Sequence, residues 1–275
     1  MAVHRLIAFI GAAAAASCVA SPPLLQQLVE ARRLASELHV AFTGAADAAN
    51  RAVMADTDEA SALAADEARR AREIVERDLE QLGAALHTLG YTEDDRALEV
   101  FRARFVEYRT LDDETLSLAV ENSNLKAQRL SFGPSQEAAQ TFSAAVEAAA
   151  RAKGGCGGEA LGHRARAALL EIQVLQAPHI AESDAGAMTR IEARMKDLER
   201  AARTALDDLK APDAVAALDR FTKINDEIIA LSRRNSNVRS LALSLGRKRM
   251  VTAECEDTLR ALEQALAKHE FSATR

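Results

Sequence analysis

Apolar residues recur along most of the chain at steps of three and four, the spacing that lines one face of an α-helix. The clearest stripe runs through Phe105, Tyr108, Leu111, Leu118, Leu125 and Phe132. A second stripe, Leu218, Phe221, Ile224, Leu231, Val238 and Leu245, lies 113 residues further on, position for position. Each extends over about four heptads, which predicts a long helix of the kind that packs into bundles.

The polar residues between these positions repeat as well. Asn122-Ser123-Asn124-Leu125 and Asn235-Ser236-Asn237-Val238 align, followed by Ser131 with Ser244 and Gly133 with Gly246. Self-similarity at a fixed offset signals duplication. Gly133 and Gly246 are read as left-handed helix ends. Upstream, Ala55-Asp56-Thr57-Asp58 resembles Ala181-Glu182-Ser183-Asp184 at an offset of 126, with Thr57 and Ser183 as expected N-caps. The change from 126 to 113 implies 13 fewer residues in the second copy, expected near the junction of its second and third helices.

The expected fold is all-α: two tandem antiparallel four-helix bundles, elongated and packed like coiled coils, behind an N-terminal signal segment. The predicted helices cover about 22–56, 58–89, 93–131 and 135–152, then 159–182, 184–209, 212–245 and 247–270. The expected divisions are 1–20 as the signal segment, 21–153 as the first bundle and 159–275 as the second. Residues 154–158, Gly-Gly-Cys-Gly-Gly, read as a flexible linker.

Composition supports long helices. Hydrophobic residues make up 48%, with Ala prominent, aromatics only 4% and no Trp. A net charge of −6 offers no basic face for nucleic acid. Residues 1–21 have signal-peptide grammar: Arg5, an apolar run from Leu6 to Ala16, then small residues. That run is too short to span a bilayer, and no later segment has spanning length. Cleavage after Ala20 and lipidation at Cys18, within a weak Ala15-Ala16-Ser17-Cys18 lipobox, are competing fates. The expected location is periplasmic or secreted, with a lipid anchor if Cys18 is modified. Cys156 and Cys255 are expected to stay unbridged, at opposite ends of a bundle.

With these segments in view, the chain resembles the extracytoplasmic four-helix-bundle sensor domain of methyl-accepting chemotaxis proteins, in two copies. The residues that carry the resemblance are Asn50 to Ser61 and the stripe ending Asn122-Ser123-Asn124-Leu125. In the second copy they are His179 to Glu182 with Met188, Glu192 and Met195, then Asn235 to Val238. The resemblance implies a non-enzymatic sensor that binds a small ligand or a membrane receptor partner and works as a homodimer. The sequence, read to Arg275, carries neither the second membrane span nor the signalling coiled coil of such receptors. A structural envelope protein and a metal- or haem-binding bundle are the alternatives; no cofactor is expected.

Asn122 and Asn235 interrupt the apolar stripes and are the candidate ligand-binding residues. A buried Asn requires hydrogen-bond partners. Pairing inside the bundle to fix register and lining of a ligand- or water-filled pocket both satisfy this. His179 and Glu182, three apart near Asp184, would share a helix face, and an ion pair or a solvated turn is expected there rather than a metal site. Pro178 predicts a kink or an early helix end. Arg247-Lys248-Arg249 reads as a solvated cationic surface complementing a helix C-terminus. No G-x-S-x-G, H-E-x-x-H, Walker A or paired C-x-x-C motif occurs.

Overall fold

The computed structural model describes residues 24–269. The signal segment and Cys18 lie outside the described residues. Helix α1 is Leu24–Met54, α2 Asp58–Leu89, α3 Thr92–Glu121, α4 Ser123–Phe132 and α5 Pro134–Lys153. The second copy supplies α6 Gly155–Ala181, α7 Ala185–Leu209, α8 Pro212–Arg234, α9 Ser236–Leu243, a π-helical turn Ser244–Lys248 and α10 Arg249–Lys268. Among the described residues there is no strand, so the protein is all-α.

The two bundles are not contiguous in sequence. The first core joins α1, α2 and α3 with the last helix of the chain: Phe42, Leu82 and Phe101 pack with Val251, Leu259 and Leu262 of α10. The second core joins α6, α7 and α8 with the last helix of the first copy, where Phe142 and Val146 of α5 meet Leu169, Leu206 and Phe221. The copies have exchanged their fourth helices. The expected boundary at 154–158 therefore falls inside the second bundle.

The Gly run there is no flexible linker. Only Gly154 breaks the helix, and α6 begins at Gly155. A Cβ on Gly158 would lie 2.7 Å from the Ala150 carbonyl oxygen, and one on Gly162 would lie 3.0 Å from the Ala150 Cβ. Glycine lets α5 and α6 approach closely as a tight hairpin. Alanines do similar work between α1 and α2, where Ala48, Ala49, Ala52, Ala64, Ala65 and Ala68 form one buried cluster.

The missing residues of the second copy are taken from helices, not from a loop. Helix α7 has 25 residues against 32 in α2, and α8 has 23 against 30 in α3. Each partner of the hairpin is shortened by seven residues, two turns of helix, which preserves the facing stripes; the loss is 14 rather than the expected 13, because the caps Thr57 and Asp184 align at an offset of 127. The turn itself is retained. The N–H groups of Gly90 and Tyr91 bond to the carbonyls of His87 and Leu86, and those of Lys210 and Ala211 to Asp207 and Leu206.

Several local expectations shift. Thr57 caps α2, accepting from the Ala60 N–H at 3.1 Å, but Asp184 rather than Ser183 caps α7. Pro178 lies within α6, which continues to Ala181. The left-handed residues in the two long stripes are Asn122 (φ 52°) and Asn235 (φ 55°), not Gly133 and Gly246.

Candidate functional site

Asn122 and Asn235 mark the points where each long helix bends toward the other bundle. The bend frees the first N–H groups of α4 and α9, which need acceptors. The other copy provides them. Ser123 N–H donates to Ser236 Oγ at 2.9 Å, and Ser236 N–H donates to Ser123 Oγ at 3.0 Å. Asn124 and Asn237 N–H groups donate to each other's Oδ1, both at 3.1 Å. Asn124 Nδ2 donates to Asn235 Oδ1 at 2.9 Å, and Asn237 Nδ2 to Asn122 Oδ1 at 2.8 Å. The two copies of one motif thus cap each other about a pseudo-two-fold axis. Asn235 Nδ2 also holds the Glu182 carbonyl. All four Asn side chains are engaged in this junction.

Two related grooves open beside the crossing helices. The first, about 430 Å³, lies between α1 and α10 at the π-helical turn. The second, about 630 Å³, lies between α5 and α6 at Gly133. Ser244 and Leu245 line the first, and Ser131 and Phe132, at the offset of 113, line the second. A π-helical turn widens a helix locally and frequently marks a functional position.

Beneath the grooves the two copies differ sharply. In the first bundle, Lys248 is buried with its Nζ 2.6 Å from Asp112 Oδ1. Arg72 lies 3.2 Å from Asp112 Oδ2 and 2.6 Å from Asp113. Lys248 therefore belongs to a buried ionic cluster rather than to a solvated basic surface. Tyr108 adjoins it, with the Lys248 Nζ 5.5 Å from its ring centroid. Burial, and then the Asp112 charge, push the Tyr108 phenol well above its ordinary range. In the second bundle the matching positions are Phe221, Asn225 and Ser135. There Gln176 Nε2 donates to Asn225 Oδ1 and Ser135 Oγ, both at 3.0 Å, and its Oε1 accepts from Ser131 at 2.8 Å.

The second bundle holds a further polar chain. His179 is fully buried, with Nδ1 2.5 Å from Ser232 Oγ and Nε2 2.8 Å from Glu192. Arg233 grips the same carboxylate at 2.6 Å, and that contact, followed by the His179 hydrogen bond, holds the Glu192 carboxyl below its usual range. Serine, histidine and glutamate are the components of an activated nucleophile. Ser232, however, is fully buried, so no substrate can reach its hydroxyl. The spacing of His179 to Glu182 suggested a shared face, but Glu182 Oε1 instead accepts from the Ser183 and Asp184 N–H groups. Glu192 and Ser232 come from other helices, and nothing in their local sequence announces the contact.

Cys156 is exposed and Cys255 is buried in the first core; both thiols are free. Among the described residues no group of three or more His, Cys, Asp or Glu side chains is arranged to hold a metal. No described helix is long and apolar enough to cross a membrane. No family model, curated protein or solved structure matches the chain.

Proposed function

We propose that this protein is an exported, non-enzymatic, sensor-like module that captures a small ligand or a membrane receptor partner. The observation that carries the reading is the pair of grooves beside the crossing helices. An occupant of the first groove would touch Leu241 and Ser244, arriving from the second bundle, together with α1 and α10 of the first. Binding there would tie the two bundles together, which is how a ligand stabilises one arrangement of a two-part molecule. The resemblance to chemoreceptor sensor domains in both copies points the same way, as does the export grammar of residues 1–20.

The test is a thermal-shift screen of the mature protein against metabolites. A compound that binds only the folded state raises the melting temperature, by an amount that grows with the logarithm of its concentration over its Kd. A hit that protects residues around Ser244 or Ser131 from hydrogen exchange supports the reading. A second reading, assembly with an envelope protein, is favoured by one feature. Phe132, Leu170 and Val174 stand exposed around the second groove. If no metabolite shifts the melting temperature and crosslinking in cells returns one stable envelope partner, the assembly reading replaces the first.

A further inference from the structure

The first groove carries two uncommitted charges that its partner lacks; Lys248 on its floor is held by Asp112, and Glu147 of the second groove is paired with Arg166. Gln136 and Ser143 of the second groove correspond to Arg249 and Glu256 in the first. Among the described residues neither Arg249 nor Glu256 has an ion-pair or side-chain hydrogen-bond partner, although most of the surface charges around them are paired, as in Arg104 with Glu254. They lie seven residues apart on α10, a separation of about 10 Å along the helix at 1.5 Å per residue.

Asn50 adds direction. Its Oδ1 accepts from Ser244 Oγ at 3.0 Å, which sets this groove-lining residue toward the Arg249 end and leaves its Nδ2 as an uncommitted donor. The corresponding residue of the second groove, Ala177, offers no such donor. The first groove thus presents two donors, one of them cationic, at one end and an anionic acceptor at the other. Val53, Leu241 and Leu245 supply apolar wall to the groove, and Thr252 and Ala253 lie between the two charges on α10.

We propose that this groove binds a short zwitterionic peptide, its carboxylate against Arg249 and Asn50 and its ammonium toward Glu256. A single α-amino acid carries both charges on one carbon and cannot reach both ends. A dipeptide with an apolar side chain can, and it fits within about 430 Å³. The inference rests on the capture reading above and narrows it to one groove and one class of ligand.

Isothermal titration of the full mature chain with alanyl-leucine tests it. Loss of one charge-assisted contact should weaken binding at least about tenfold. The amide of alanyl-leucine and the variant R249Q should each show that loss at one end. N-acetyl-alanyl-leucine and E256S should show it at the other, and free leucine should bind at least tenfold more weakly than the dipeptide. Both substitutions copy the residue of the second groove at exposed or half-exposed positions, so an unchanged melting temperature is expected. Alanyl-leucine binding that is equal in the wild type, R249Q and E256S overturns the proposal, and so does the absence of binding. If the dipeptide fails while another metabolite still stabilises the chain, the peptide assignment falls and the capture reading stands. If neither binds, both fall.

Discussion

Asn124 carries more of the junction than any other side chain. Its Oδ1 accepts from the Asn237 N–H, and its Nδ2 reaches both Asn235 Oδ1 and the Ile180 carbonyl at 2.7 Å. Asn124→Ala would strand buried polar groups on three helices, and a buried group left unpaired costs about 1–3 kcal/mol. We expect a loss of about 2–4 kcal/mol, read from urea denaturation. A loss under about 1 kcal/mol would mean that water already satisfies these groups. The ionic cluster makes a second test. Asp112→Asn removes the carboxylate that neutralises Lys248 and Arg72, and breaking one side of a buried pair costs about 3–5 kcal/mol. The double variant D112N/K248S copies the Asn225 and Ser135 of the second bundle and should be more stable than D112N alone. Destabilisation that simply adds would show that the two sites do not interact.

The cysteines allow a third. Burial pushes the Cys255 thiol from its ordinary 9.0 up to about 12, with the Glu254 charge adding to the effect. A folded pKa above the unfolded one stabilises the protein fully below pH 9 and loses that contribution as the pH rises through 12. The Tyr108 phenol is shifted in the same direction. The urea midpoint should therefore fall on passing from pH 8 to pH 11, by less in Cys255→Ala than in the wild type. At pH 8 iodoacetamide should label exposed Cys156 in the native protein and Cys255 only in denaturant.

At the scale of the element, the two helical hairpins give matched experiments. Gly90 and Lys210 occupy the same left-handed C-cap, φ 71° and 57°. Lys210→Gly should stabilise by about 0.5–1 kcal/mol, because glycine adopts that conformation without a Cβ penalty. Gly90→Ala should destabilise by a similar amount in a thermal melt. In α6, Gly158→Ala would press a Cβ into the Ala150 carbonyl, costing about 1–3 kcal/mol. Gly157→Ala meets nothing within 4 Å and should stabilise by about 0.5–1 kcal/mol. These contrasts also explain what the chain made legible. Steps of three and four placed nearly every helix, because burial of a stripe is written in local order. Four glycines in six residues carry two opposite meanings, a flexible joint or a close helical contact, and only the neighbour at Ala150 decides between them. Asn122 and Asn235 stood out as polar interruptions, and pairing inside the bundle was one of their expected roles. The bend they create was hidden, since a single left-handed residue leaves the apolar period intact on both sides. His179 and Glu192 both stood out, but their contact did not, and Ser232 was missed, because the partners come from helices 13 and 53 residues away.

The whole molecule is governed by the exchange of the fourth helices. A local pattern is identical whether α5 folds back on its own copy or enters the other, so periodicity cannot distinguish tandem bundles from exchanged ones. The consequence is energetic. Each core is completed by a helix from the opposite copy, so damage to a core should be felt across the sequence rather than beside it. Phe142 in α5 and Leu259 in α10 are fully buried in the second and first cores respectively. Truncating a large buried side chain costs about 2–5 kcal/mol. In Phe142→Ala, amide exchange measured by mass spectrometry should accelerate in α6 to α8 while α1 to α3 change less. In Leu259→Ala, the faster exchange should appear in α1 to α3, more than two hundred residues away in sequence at the α1 end. Contiguous bundles would give the reverse assignment, with Phe142→Ala loosening α1 to α3. The same coupling bears on function, because the groove at the π-helical turn is built from the crossing segment itself. A ligand there would resist the opening of both bundles, and in the wild type its protection should extend from α1 and α10 into α8, through the reciprocal Asn and Ser caps.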